Sequence, residues 1–183
     1  EEKTIVKGLD LSLDYKKIFT NGKIFDLGIN ATHLFEYLTP EHGNEDEGEH
    51  VEKMVNRVGR FNYNAHTHSL PRLRLNALMG LRSEDIRYSI NARYLDGYDN
   101  LRPLPESAIQ GGYTKQIDSF LVFDFGITKD ILINDQQITF GFNVINAFDE
   151  SAPLLYDSPD FSFDTRLHDP RGRLLNVSVD YEF

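Results

Sequence analysis

The chain has 183 residues, a formal net charge of −10 at neutral pH and no cysteine. The lack of cysteine excludes disulfides and thiolate metal sites. The negative charge argues against nucleic acid as a partner, because proteins that bind nucleic acid usually carry a basic patch that neutralises phosphates. No apolar run reaches the roughly 20 residues that a membrane-spanning helix requires, which argues against a helical membrane protein.

The first part of the chain alternates apolar and polar residues with a period of two, as β-strands with two different faces do. A first strand is predicted around residues 9–15, and it is followed by Asn-Gly at 21–22, the strongest short signal for a hairpin turn. A second strand begins at Phe25 and ends near Tyr37. The long polar stretch 38–69 is predicted to be a loop.

The same alternation returns five more times. Strands three and four are joined by the tight turn Ser83-Glu84-Asp85, strands five and six by the short link 129–136, and long loops cover 96–116 and 149–169. The five strands themselves are predicted at 73–82, 86–94, 121–127, 138–144 and 174–183.

Short and long connections alternate strictly, so the three long loops should lie at one end of the sheet. Outer-membrane β-barrels combine short periplasmic turns, long extracellular loops and strands that are apolar on the lipid side and polar on the inner side. Aromatic residues such as Tyr15, Tyr94 and Tyr181 end several apolar faces, where interfacial girdles would be. The sequence therefore predicts an all-β protein, about seven strands of an antiparallel transmembrane β-barrel. A soluble β-sandwich shows similar alternation, although ordinary strands run nearer five or six residues.

Four segments resemble TonB-dependent outer-membrane receptors. The segment 141–149, Gly-Phe-Asn-Val-Ile-Asn-Ala-Phe-Asp, resembles the G-x-x-N-x-F-D motif near the end of these receptors. The segment 169–173, Asp-Pro-Arg-Gly-Arg, with the alternating strand after it, resembles their closing strand. Leu-Pro-Arg at 70–72 and Arg-Tyr-Leu-Asp-Gly-Tyr at 93–98 resemble further family segments, so the likeness extends over most of the chain.

The resemblance implies a bacterial outer-membrane location, as a multi-pass barrel, and a role in active transport. The family's barrel has roughly 22 strands and a plug inside it. Residues 1–183 supply about seven strands and neither the plug nor the TonB box, so they correspond to the C-terminal part of such a receptor. The implied partners are the remaining strands and the plug, the TonB complex through that plug, the barrel assembly machinery, and outer-membrane lipid and lipopolysaccharide. No cofactor is implied. The ligand would be a metal chelate, vitamin or glycan.

The last strand also resembles the C-terminal signal that the barrel assembly machinery recognises. The alternative is that the final aromatic only anchors the strand at the interface, and both roles are compatible. One departure is Pro170, where that signal prefers a polar residue. The residues that match the signal are Gly172, Leu175, Val177, Val179, Tyr181 and Phe183.

Five loop residues are candidates for ligand binding, because aromatic and arginine side chains stack and form hydrogen bonds at a low entropic cost. For each of them the alternative is packing of loop against loop. They are Tyr98, Arg102, Tyr113, Tyr156 and Phe161.

No enzymatic signature stands out. The chain has no glycine-rich phosphate loop, nucleophile elbow or His-Glu-x-x-His motif. His and Ser occur together at 66–69, without a local signature that joins them to an acid. The sequence therefore predicts a protein that is not an enzyme, with a structural or adhesive surface protein or a soluble β-sandwich binding module as the alternative to a transporter.

Overall fold

The computed structural model describes residues 3–41, 53–63, 68–134, 136–156, 158 and 161–182. This part of the chain consists of β-strands, loops and a single short helix. The elements in chain order are β1 (Ile5–Ile18), β2 (Ile24–Glu41), β3 (Lys53–Asn56), β4 (Leu73–Ser83), β5 (Ile86–Leu95), β6 (Tyr98–Asp99), α1 (Glu106–Gln110), β7 (Gln116–Ile117), β8 (Phe120–Ile133), β9 (Gln136–Ile145) and β10 (Leu174–Glu182).

One antiparallel sheet contains the seven long strands in the order β1-β2-β4-β5-β8-β9-β10, and the short β3 pairs with β2 as an eighth strand. The prediction of an all-β fold with antiparallel strands is confirmed. The sheet is open rather than closed into a barrel, with β1 and β10 as its outer strands. Strands β6 and β7 form a separate two-stranded sheet within a loop.

The strand register separates polar from apolar residues, because neighbours across the sheet point to the same side. We call the two sides the polar face and the apolar face. One row of successive partners on the polar face is Asp26, Gly80, Ser89, Gly126, Asn143 and Asn176. The adjacent row on the apolar face is Leu27, Met79, Ile90, Phe125, Val144 and Leu175.

The predicted tight turns are present. Gly22 has a φ of 80°, and the Phe19 N–H donates to the Lys23 carbonyl at 2.8 Å to close the first hairpin. Glycine suits this position because L side chains rarely adopt such a φ. Glu84 takes a left-handed φ of 48° in the turn between β4 and β5.

Two predicted strand ends were wrong. Strand β2 continues to Glu41 instead of ending near Tyr37, because β3 pairs with its last four residues. Strand β8 continues to Ile133 and β9 begins at Gln136, so most of the link predicted for 129–136 is strand. There Asp130 pairs with Thr139, whose hydroxyl donates to its carboxylate at 2.7 Å.

The two predicted loops that begin after β2 and β5 contain structure of their own. The stretch 38–69 includes β3, and 96–116 includes β6, α1 and the start of β7. All three long connections leave the sheet at the same end, which we call the loop end, and the register thus confirms their predicted arrangement. The described apolar side chains that are buried lie in these loops and in the adjoining part of β8, namely Val58, Tyr98, Ala108, Ile117, Phe120, Val122 and Leu155.

Candidate ligand-binding loops

The long loops pack together around a small apolar core. Tyr98 and Ile117, partners in the β6–β7 pair, bury their side chains against Leu155 from the third long loop. Phe61 from the first loop and Leu167 from the third pack against these three residues. We call these five residues the loop cluster. Each long loop contributes to it, so the cluster fixes the three loops relative to one another.

Polar contacts reinforce the same junction. Ser69 in the first loop donates its hydroxyl hydrogen to Asp164 Oδ2 in the third loop at 2.5 Å, and both residues are buried. Asn100 in the second loop is fully buried, and its Nδ2 donates to the Tyr156 carbonyl at 2.9 Å. Buried polar groups are costly unless they are hydrogen-bonded, so these bonds make the arrangement of the three loops specific.

Two titratable side chains near this junction have perturbed ionisation. Burial raises the pKa of the Tyr98 phenol, and the nearby Asp164 carboxylate acts in the same direction. Burial lowers the pKa of the His168 imidazole, against the opposing effect of Asp164. Both side chains are therefore held uncharged at neutral pH.

The five predicted ligand-binding residues occupy different environments. Tyr98 is only 3% exposed and belongs to the loop cluster, which matches the packing alternative. Tyr113 and Tyr156 are brought together, edge to face, with ring centroids 5.7 Å apart. The Arg102 guanidinium lies 4.0 Å from the ring centroid of Tyr63. Phe161 is 58% exposed and stands beside Phe163. Ligand binding by these residues stays a prediction.

The polar face below the loops carries two open cavities that meet at Ser89. One, of about 390 Å³, is lined by charged residues that include Asp14, Lys16, Asp26 and Arg87. The other, of about 260 Å³, is lined by uncharged polar residues such as Asn91 and Asn143, by Asp124, and by apolar residues such as Ile145. Gly80 and Gly126 flank Ser89 in the same row, and polar side chains lie directly over them. A Cβ on Gly80 would stand 2.6 Å from Asp26 Oδ2, and one on Gly126 would stand 2.5 Å from Ser89 Oγ.

The residues that resemble an assembly signal lie in and just before β10. Gly172 has a φ of 66°, and a Cβ there would stand 2.7 Å from Asp149 Oδ1. That carboxylate oxygen accepts a hydrogen bond from the Arg173 N–H at 2.8 Å, which ties the start of β10 to the end of β9. Four residues of the signal lie on the apolar face and are exposed, namely Leu175, Val177, Val179 and Tyr181. Phe183 lies outside the described residues.

Sequence reasoning did not find the buried polar contacts of the loop junction. Ser69, Asp164 and His168 stand in irregular segments with no periodic pattern, and Ser69 and Asp164 are 95 positions apart. A local motif therefore could not have revealed their contact.

No family model, curated protein or solved structure matches the chain. No helix among the described residues is long and apolar enough to cross a membrane. Within the same residues, no group of three or more His, Cys, Asp or Glu side chains is placed to hold a metal ion.

Proposed function

We propose that this chain is part of the β-barrel of a TonB-dependent outer-membrane receptor, which binds a scarce ligand at its long loops and imports it. The observation that carries the proposal is the apolar face, which remains uncovered across the sheet. Leu9 on the outer strand β1 is 61% exposed, Val177 on β10 is 73% exposed, and Phe140 on β9 is 44% exposed. Large exposed apolar patches mark surfaces that meet another protein or a membrane.

The position of the buried core supports the same proposal. A water-soluble domain normally packs the apolar face of its sheet against a second layer. Here the buried apolar side chains of the described residues lie at the loop end. The side chains on the apolar face of β1, β9 and β10 are largely exposed. Lipid is a solvent in which that face needs no second layer, and the polar face would then line the interior.

Strand length and sheet edges fit a barrel wall. A transmembrane β-strand needs about 9–11 residues. The described part of β10 has 9 residues, β5 and β9 have 10 each, and β1 has 14. The outer edges of β1 and β10 carry backbone groups that need partners in hydrocarbon, so we propose that the remaining strands of the receptor pair with them.

Spin-label accessibility tests the lipid-facing assignment. The chain has no cysteine, so single cysteines can be placed along β9 in the complete protein, after any cysteine elsewhere has been replaced. In bilayers, nitroxides at Phe140 and Phe142 should be reached by oxygen and not by a water-soluble nickel chelate, whereas labels at Thr139 and Asn143 should show more access to the chelate. Labels at Phe140 and Phe142 that neither reagent reaches would favour a soluble β-sandwich and overturn the proposal.

The transport part of the proposal needs a ligand at the loops. The ring pair Tyr113 and Tyr156 offers aromatic surface where the second and third loops meet. Isothermal titration calorimetry of the complete protein with ferric chelates, vitamins and oligosaccharides should identify one class of ligand that binds. Tyr113→Ala should weaken the binding of that ligand. Ile109→Ala, an exposed apolar position in the same loop, is the matched control and should bind normally. If no class binds, the receptor function is wrong even where the barrel is correct.

A further inference from the structure

The imidazole ring of His168 is buried at the junction of the three long loops. Its side chain is 5% exposed, and neither Nδ1 nor Nε2 has a partner among the described residues. The imidazole ring stands edge to face with Phe120 of β8, with ring centroids 4.9 Å apart. Phe120 belongs to the polar side of the sheet and is itself buried, so His168 joins the third loop to the sheet below it.

The groups around His168 connect it to the other loops. Its backbone N–H donates to the Asp164 carbonyl at 3.0 Å in a single tight turn, and the Asp164 carboxylate accepts the hydrogen bond from Ser69. The buried Tyr98 phenol interacts electrostatically with that carboxylate. The groups facing this junction are thus one carboxylate from the third loop, one neutral phenol from the second, a hydroxyl from the first and an uncharged ring from the sheet.

We propose that His168 makes the closure of the three loops sensitive to pH, such that the neutral imidazole stabilises the closed loops and protonation at mildly acidic pH releases them. A neutral imidazole beside Phe120 behaves as a packed aromatic ring. An imidazolium there would be a buried charge with two unpaired N–H donors, and such a charge is far more costly than a buried neutral group. Release places the ring in water, where the charge is solvated.

The direction of the pH effect follows from burial. Burial lowers the pKa of His168 in the closed loops, and the weaker opposing effect of Asp164 does not reverse this. In open loops the pKa returns towards the ordinary value of about 6.5. The open form therefore binds more protons at acidic pH, and closure loses stability as the pH falls through about 6.5 towards the lowered pKa. These contacts lie within the loops and against Phe120 of β8, so the proposal does not depend on the proposed receptor function.

Hydrogen exchange of the complete protein, read by mass spectrometry, tests the proposal. Labelling at pH 7.5 and pH 5.0, with times scaled for the chemical exchange rate, compares the loop segments 98–117 and 161–168 with strands β4 and β5. The loop segments should exchange at least about tenfold faster at pH 5.0, while the strands keep their protection. Unchanged loop exchange, or equal acceleration in strands and loops, would overturn the proposal.

Variants separate His168 from other acid effects. His168→Phe keeps a ring against Phe120 and cannot titrate, so its loops should stay protected at both pH values. His33→Phe is the matched control, because His33 also packs on a phenylalanine, Phe35, with centroids 4.7 Å apart, but lies on β2. This control should retain the acid response. An acid response that persists in His168→Phe, or that disappears in His33→Phe, contradicts the proposal.

A third substitution tests the electrostatic cause. Asp164→Asn retains an oxygen that can accept the hydrogen bond from Ser69, but removes the negative charge that favours the imidazolium. The imidazolium in closed loops then loses a favourable charge, so the loop exchange at pH 5.0 relative to pH 7.5 should be accelerated more than in the unsubstituted protein. An acid acceleration that is unchanged or smaller would show that the carboxylate does not act through His168. His168→Gln, which also cannot titrate, repeats the comparison if the phenylalanine does not fit, and the strand segments at pH 7.5 report whether each variant folds.

Discussion

Arg93 Nη2 and Asp124 Oδ1 lie 2.9 Å apart on the polar face, where they join β5 to β8. The same carboxylate accepts hydrogen bonds from Asn91 Nδ2 at 3.1 Å and from the Asn146 backbone N–H at 2.9 Å. Asn146 is the first residue after β9. Asp124 therefore connects two strands with the beginning of the third long loop.

Asp124→Ala should lower the free energy of unfolding by about 1–3 kcal/mol, because several donors around one charged acceptor lose their partner. Asp124→Asn should cost less, since it keeps one acceptor oxygen. Urea unfolding of the complete protein refolded into lipid vesicles measures both. Asp14→Ala, an exposed carboxylate on the same face at the outer strand, is the control. Equal losses of unfolding free energy in Asp124→Ala and Asp14→Ala would contradict the role of Asp124 in connecting the strands and the loop.

If the apolar face meets lipid as proposed, Phe140→Arg should destabilise the protein in bilayers by about 2–4 kcal/mol, because the new charge would face the hydrocarbon. Asn143→Arg places the same side chain on the polar face of the same strand and should be milder. The measurement is the free energy of folding into vesicles. Equal effects of the two substitutions would refute the assignment of the faces.

Gly97→Ala should loosen the second loop. A Cβ at this position would stand 2.6 Å from the Ile117 carbonyl oxygen, which is backbone and cannot rotate away. Overpacking of this kind costs about 1–3 kcal/mol. Gly111→Ala, where the nearest atom would be 3.3 Å away, should have a smaller effect. Hydrogen exchange of residues 98–117 reports the local stability, and equal protection in both variants would contradict the prediction.

Arg171→Gln should raise the pKa of Asp169. Hydrogen bonds from Arg171, with distances down to 2.6 Å, lower this pKa from 3.8 to about 2. The contribution of the pair to stability is therefore present above pH 3.8 and is lost as the pH falls through about 2. Carbon-13 NMR of labelled aspartate in the complete protein should place the pKa in the variant above about 2 but below 3.8, because the backbone N–H of residue 171 still donates to the carboxylate. A value that stays near 2 would assign the shift to another cause.

Under the proposed function, deletion of Phe183 should reduce the amount of protein that reaches the outer membrane more than it reduces the stability of the refolded protein. This follows if the Phe183 side chain acts in assembly as well as in anchoring. Cell fractionation and unfolding in detergent measure the two quantities. Phe161→Ala removes an exposed aromatic from a loop and should change neither. A loss of stability proportional to the loss in cells would leave anchoring as the sole role.

The strands could be predicted because period-two alternation identifies both a strand and its faces. The prediction was wrong where alternation is interrupted. Lys129 lies on the apolar side of β8, and Ile131, Leu132 and Ile133 are consecutively apolar. The alternation is lost there, so the end of β8 was predicted to be a loop. Strand β3 has only 4 residues and depends on the end of β2 for its partner, which leaves no pattern of its own.

The loops were less predictable because their structure depends on contacts between distant residues. Tyr98 was a reasonable ligand candidate by residue type, but sequence cannot distinguish an aromatic that faces solvent from one that is covered by Leu155, far along the chain. The pairing of Tyr113 with Tyr156 is similarly non-local. Composition therefore identified which residues were suited to contacts but not which contacts they make.

The up-and-down order of the sheet also bears on how the protein folds. Each long strand pairs with the long strand before it, so the sheet can grow by successive addition of neighbouring strands, joined alternately by a tight turn and a long loop. The contact between Ser69 and Asp164 is different, since it requires residues 95 positions apart and a completed set of strands to hold them. We therefore expect the loop junction to form last. The time at which its amides become protected from hydrogen exchange should then mark the completion of folding.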